Sequence, residues 1–167
     1  MILIKQSKTA DTRTSDFANV SKETLIASSI QHIEDVSQAL RFFAMLLREA
    51  SLHHDPDKLS DIDSFHADFV TGFRKTDWWD RHRALNRHHL NAEDGVPEDV
   101  NLIDVLDYIA DCVMAGMARS GSVYDLDIRP EVLMAAFQNT VAILKDQVVV
   151  ELENAPTGKE TGDEPPR

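Results

Sequence analysis

Cysteine is nearly absent from this chain. Cys112 is the one thiol in 167 residues, so no internal disulfide framework can form, and a reducing, cytoplasmic setting is expected. Glycine and proline are scarce, six of each, and three of the prolines fall at or after Pro156. With little aromatic or β-branched alternation, strands have weak support, and an all-α class is expected. Long hydrophobic runs are missing too: the opening MILIKQ turns polar too soon for a signal peptide or a membrane span, which predicts no membrane partner. Positive charge is short as well. Seventeen Lys and Arg face 29 Asp and Glu, for a formal net charge of −12, whereas a protein that coats long nucleic acid needs clustered cations.

What is present suffices for one core. A 167-residue chain with 43% hydrophobic residues fits a single domain of five or six helices. Residues 1–20, rich in Ser, Thr, Lys and Asp, read as a flexible arm, residues 21–150 as the folded helical domain, and 151–167 as a disordered acidic tail. Ser21 is a candidate N-cap for a helix to about Ala50, on which Leu25, Val36, Ala39, Leu40 and Phe43 recur at helical spacing with His32 in mid-stripe, facing inward. Further helices are expected from Asp61 to Phe73, with Ile62, Phe65, Phe69 and Phe73 inward, and from Asp77 through His88. After the break at Gly95 and Pro97, a helix is expected from Asp99 to Arg119, and a last one from Pro130 to about Val148. From Val105 to Ala118 the sequence is apolar around its circumference except at Asp107, Asp111 and the small Gly116, which predicts an enclosed helix.

All seven histidines fall between His32 and His89, and acids and a lysine stand among them. Asp104, Asp107 and Asp111 share one side of their helix, and a carboxylate on an enclosed helix needs a partner that a divalent cation supplies. Asp111 is therefore the expected ligand of the three. His54 and Asp55 adjoin Pro56 at a bend, where neighbouring side chains can converge as they cannot on a regular helix. With His32 and Asp111 they form a four-ligand set from three segments. His82 and His89 share a helix face and suit a second ion or a phosphate, with His88 turned elsewhere on a regular helix. His53 is expected to shoulder the bend, His66 to pack in the core, and Trp78 and Trp79 to be core aromatics. The basic run of Arg74, Lys75, Arg81, Arg83 and Arg87 reads as a solvated face or a local site for a small anion.

Imidazoles, carboxylates and a lysine in this density are what metal-dependent hydrolysis of phosphate esters needs. The order of a histidine, HDPDK, His82, the pair His88-His89 and a late aspartate resembles the HD-domain superfamily of metal-dependent phosphohydrolases. HDPDKLSDIDSF, WWDRHRALNRHH and DYIADCVMAGMARSG are also similar to a family of small uncharacterised bacterial and phage proteins with HD-x-S-K and N-x-H-H motifs, over roughly residues 30 to 145. The resemblance implies an HD-like bundle in which His32, His54, Asp55 and Asp111 hold a primary ion. His82 with His88 or His89 would hold a second, and Lys58 would contact the scissile phosphate. Asp55 and Lys58 are thus the expected catalytic residues, and Arg81 and Arg87 the expected phosphate-binding cations.

One or two divalent transition-metal ions are implied, with manganese, iron, cobalt, nickel or zinc favoured over magnesium by the imidazoles. The expected substrate is a small anionic nucleotide, cleaved at a phosphomonoester or phosphodiester. Two other readings accompany this one: a di-iron oxygenase, which the same resemblance includes, and a phage-derived protein that sequesters a nucleotide without cleaving it. Met and Phe on the helices make a homodimer plausible.

Overall fold

A computed structural model describes residues 1–14, 16–74, 76–91 and 96–152; the tail expected to be disordered lies, beyond Leu152, outside the described residues. The class is all-α, with six α-helices and a two-stranded sheet among the described residues. No helix among them is long and apolar enough to cross a membrane. Instead of the single domain expected over 21–150, the chain groups into two compact units. One is Met1–Ala39 with the chain from Gln147 onward, and the other is Leu40–Asp146.

In the first unit, β1 (Ile2–Lys5) lies parallel to β2 (Val148–Glu151), with Ile2 opposite Val148 and Lys5 opposite Glu151. Gln6 N–H extends the ladder to the Glu151 carbonyl at 2.8 Å. The head of the expected loose arm, Ile2–Lys5, is therefore a strand, with Ile2 buried. Strands of four residues are too short to show alternation, and their pairing joins opposite ends of the sequence, so no local pattern announces it. A short 3-10 turn at Thr12–Thr14 follows β1. The long helix α1 (Lys22–Leu52) starts where expected, with Thr24 N–H donating to Ser21 Oγ at 3.1 Å. From α1, Gln31 Nε2 donates to the Lys5 carbonyl at 2.7 Å.

The apolar stripe of α1 is not the buried seam its periodicity predicts. Leu25, Val36 and Leu40 are exposed, as are Ile26, Ile30 and Ile33. His32 is exposed rather than inward.

The second unit contains the end of α1 and then α2 (Asp57–Ser60), α3 (Ile62–Phe69), α4 (Trp78–Leu85), α5 (Leu102–Ser120) and α6 (Pro130–Gln147). Its core joins Leu90, Val100, Val105, Tyr108, Val132 and Ala136. The start of α5 is fixed by a capping box: Ile103 N–H donates to the Asn101 side chain and Asn101 N–H to Asp104, each at 2.9 Å. Its end is set by Gly121 at φ 72°. A Cβ on Gly116 would stand 2.5 Å from the Ser122 carbonyl oxygen, so glycine lets the outgoing chain fold back against α5. Only one face of α5 is enclosed: Asp104, Val105, Tyr108 and Gly116 are buried, but Leu106, Ile109, Met114 and Met117 are exposed. Ile62, Phe69 and His66, expected in the core, are also exposed. On the short α3, apolar spacing exceeds what one neighbouring face covers; Phe65 takes the inner position and stacks on Trp78 at 4.3 Å between ring centroids.

Candidate metal centre

The centre grows from the bend after α1. Asp55 adopts φ 50°, a left-handed conformation that aspartate tolerates better than most residues and that is held only where surroundings impose it. The chain then re-enters helix through Pro56, and Lys58 N–H closes on the Asp55 carbonyl at 3.2 Å. This turn brings the His54 and Asp55 side chains together, their His54 Nε2 and Asp55 Oδ2 atoms 3.5 Å apart.

A second approach comes from the end of α4. The chain leaves the helix at Asn86, whose backbone is extended, and Leu90 N–H bonds the His88 carbonyl at 2.9 Å in a tight turn. Off the helix, His88 and His89 no longer diverge, and their rings lie 4.4 Å apart. The expected choice between them does not arise, because both enter the site. His82, still on α4, is fully buried, and its ring centroid is 4.8 Å from that of His89.

Two groups of side chains have ligand atoms within 4.8 Å of one another: His54, Asp55 and His88, and Asp55, His82 and His89. Asp55 is common to both. Its Oδ1 stands 3.5 Å from His82 Nε2 and 3.5 Å from His88 Nε2. Two ligands about 2.1 Å from one tetrahedral ion stand roughly 3.4 Å apart, so this spacing suits coordination. Asp55 Oδ1 and the Nε2 atoms of His82, His88 and His89 are buried with no hydrogen-bond partner. Buried polar atoms normally find partners, and four that converge are what a divalent cation satisfies. The residues therefore fit a metal ion.

The Nδ1 atoms of His54, His82 and His88 each face a carboxylate. His54 Nδ1 lies 2.9 Å from Asp107 Oδ1 and His88 Nδ1 lies 3.5 Å from Asp107 Oδ2. His82 Nδ1 lies 2.8 Å from Asp57 Oδ2, and Asn86 Nδ2 donates to Asp57 Oδ1 at 2.9 Å. A proton on Nδ1 shared with a carboxylate turns the Nε2 lone pair toward the centre, which is how metal-binding histidines are oriented. Asp57, Asn86 and Asp107 were not singled out by the sequence for this role. The available signal was that Asp57 sits within HDPDK and Asp107 one turn before Asp111.

Electrostatics agree with neutral imidazoles at His88 and His89 and an ionised carboxylate at Asp55. Burial holds His88 below the usual imidazole range, with the Asp107 and Asp55 charges working against it. Burial, with the neighbouring His88 and His82, takes His89 down to about 4. For Asp55 burial pushes upward, but the hydrogen bond and charge of Lys58 outweigh it and keep the carboxyl below its ordinary value. Lys58 Nζ bonds Asp55 Oδ2 directly.

Other expected site residues are placed differently. His32 belongs to the other unit, where it is exposed on α1. It joins neither ligand group; a histidine inside an apolar stripe points to a core only if the stripe is covered. Asp111 borders the centre, its Oδ1 3.8 Å from His54 Nε2. Arg87 grips Asp104 through two bonds of 2.9 Å and Asp99 through its carboxylate at 3.0 Å and its carbonyl at 3.2 Å, and Arg81 pairs with Asp77 at 3.3 Å and Asp61 at 3.8 Å. Both predicted phosphate cations are thus committed to the protein's own acids. His53 is exposed, its Nδ1 2.9 Å from the Glu49 carbonyl at the end of α1. Trp78 is a core residue as expected, whereas Trp79 is 36% exposed.

Two cavities flank the centre. One of about 480 Å³ is bordered by His89, Asp111, Trp79, Arg83 and Tyr108, and one of about 320 Å³ by His54, Asp107, Asp111 and Met114. No family model, curated protein or solved structure matches the chain.

Proposed function

We propose that this protein is a metal-dependent phosphohydrolase of the HD type that cleaves a phosphate ester of a small nucleotide. The observation that carries the reading is the convergence of Asp55 Oδ1 with three buried, unpartnered imidazole nitrogens. His54, His88 and Asp55 would hold one divalent ion, and His82, His89 and Asp55 a second. Asp111 is at hand beside His54. When bound, such ions supply Lewis acidity toward a phosphoryl oxygen and lower the pKa of water. Imidazole-rich ligation favours manganese, iron, cobalt, nickel or zinc over magnesium.

The chain's own residues supply the rest. Asp107 and Asp57 fix the histidines, so ligand geometry is set before substrate arrives. Lys58, adjacent to Asp55, carries the cation suited to neutralising a phosphate oxygen. One cavity reaches the His89 side of the centre and the other its His54 side, with Asp111 bordering both, which gives an ester and a water separate approaches.

Elemental analysis of the purified chain, followed by a manganese-supplemented screen of nucleotides for phosphate release, tests the proposal. Stoichiometric metal and released phosphate are expected, and both should vanish in Asp55→Asn, which keeps the shape and the left-handed turn. Full turnover in that variant would sink the assignment. Stoichiometric iron with an oxygen-dependent optical change and no phosphate release would favour the oxygenase chemistry instead.

A further inference from the structure

The identity of the ester's other half is written on the walls of the larger cavity, given the hydrolase reading above. His89, from one ligand group, and Asp111, beside the other, both border this space of about 480 Å³. It is therefore an approach to the centre from its His89 side, and its size falls in the usual range for small-molecule sites.

Aromatic surface is the cavity's first property. Trp78 is 2% exposed and serves the core, whereas the adjacent Trp79 is 36% exposed and lines the cavity. Trp79 is held by its neighbours, with ring centroids 5.2 Å from Phe73, 5.4 Å from His82 and 5.5 Å from His89. An indole so fixed, one ring away from two candidate metal ligands, offers a rigid platform for a planar group attached to a phosphate at the centre. Asn91 lines the same cavity, and its amide presents both a donor and an acceptor, as the edge of a heterocyclic base requires. The Tyr108 hydroxyl donates to the Asp127 carbonyl at 3.1 Å, so its hydrogen is committed elsewhere.

Shortage of cations is the second property. Arg83 is the one Lys or Arg among the described residues lining this cavity, and it already bonds Asp80 at 2.7 Å. Arg81 and Arg87 are held by Asp61, Asp77, Asp99 and Asp104. Asp111 adds negative charge to the wall. Polyphosphates are bound by several converging cations, and beyond the metal centre and Lys58 this cavity does not assemble them.

We infer that the cavity is the subsite for a nucleoside monophosphate, its base against Trp79 with Asn91 at the edge and its single phosphate at the metal centre. Hydrolysis forms one P–O bond to water and breaks the P–O ester bond. The nucleoside oxygen leaves with one proton from that water, inorganic phosphate is the second product, and no atom changes oxidation state.

Phosphate release by the manganese-loaded full chain is compared on nucleoside 5′- and 3′-monophosphates, the matching triphosphates and ribose 5-phosphate, with calorimetric binding of the monophosphates in parallel. A monophosphate should be cleaved with kcat/KM at least about a hundredfold above its triphosphate. Trp79→Ala should lower kcat/KM for that nucleotide by about ten- to a hundredfold, the range for loss of one base stack, and by far more than it lowers that for ribose 5-phosphate. Trp79→Phe, which keeps a ring and the packing, should recover most of the loss. Preference for the triphosphate, or equal losses on nucleotide and ribose 5-phosphate in Trp79→Ala, overturns the subsite. If no ester is cleaved yet monophosphate binding still depends on Trp79, the hydrolase reading fails and the subsite stands; absence of Trp79-dependent binding removes the subsite whatever the catalysis.

Discussion

At the start of α5, Arg87 meets Asp104 twice at 2.9 Å and Asp99 at 3.0 Å, while Asn101 N–H adds a third hydrogen bond to Asp104. At the bend after α1, the same density of charge ends differently: Asp55 Oδ1 stands 3.5 Å from the Nε2 atoms of His82 and His88, and these three atoms, with His89 Nε2, have no hydrogen-bond partner. Both clusters belong to the 40–146 unit. Where acid and base close on each other, the cluster is a strut; where buried polar atoms converge without closing, it could hold a metal ion. The arginine raised above its ordinary pKa by its grip on Asp104 is locked in place, whereas the lowered pKa values of His88 and His89 describe bases kept neutral and able to coordinate.

Breaking the open cluster should have the largest effect. Asp55→Asn removes the carboxylate common to both ligand groups, so metal content by elemental analysis should fall to background and turnover with it. Breaking the closed cluster should do the reverse. Arg87→Met leaves Asp104, whose side chain is 7% exposed, without its main partner, and unfolding by urea should show a loss of about 1–3 kcal/mol, at the lower end because the arginine itself is 42% exposed. Metal stoichiometry should persist. Loss of metal in Arg87→Met with unchanged stability would merge the two clusters into one functional network.

Asp107→Asn probes the boundary between strut and site. Asp107 engages both His54 and His88, so its amide should still fill space but hold the imidazole tautomers less well. Metal affinity measured by chelator competition should drop about 10- to 100-fold, with fold stability preserved within about 1 kcal/mol, the size of one neutral hydrogen bond.

Local patterns made much of this legible, for reasons that also mark where legibility stopped. Ser21 as a cap, Pro130 in a first turn and the long spacing of α5 are local signals, and the helices follow them closely. The convergence of His54 with Asp55 followed from a bend at Pro56, again local. His88 and His89 went astray because a helix was expected through His88, and the chain leaves it at Asn86, turning two divergent residues into neighbours. Arg87 was misassigned because its partners stand 12 and 17 positions away, beyond any helical pairing rule. His32 failed because a stripe on α1 shows which residues share a face and not whether anything covers it. The β1–β2 pair joins segments at opposite ends of the sequence, which no local window sees.

Acidification separates the clusters in a smaller way. Burial lowers His89 from about 6.5 to about 4, so between those values the unfolded chain takes up a proton that the folded metal-free protein refuses. Stability is therefore full above about pH 6.5, declines as pH falls and levels off near 4 on this account. Asp55, lowered by Lys58, contributes in a different window, losing its share only below the ordinary carboxylate pKa of about 3.9. The thermal midpoint of metal-free protein, followed from pH 7 to 4, should fall, and His89→Gln should flatten that fall without altering the acid limb.

The smallest effect belongs to His32, the histidine that sequence order places first in the ligand set and the fold leaves exposed on α1. Asp11 is a charged neighbour, whose carboxyl is favoured chiefly by Arg13 and only slightly by His32. His32→Gln should hold metal content and turnover at the wild-type level, with stability within about 0.5 kcal/mol, as for surface substitutions generally. The same exchange at His82, fully buried and facing Asp55, should remove metal from its group. A matched pair of elemental analyses decides between the order of histidines along the chain and their arrangement in space: loss of metal in His32→Gln would restore the sequence-based ligand set and displace the partition around Asp55.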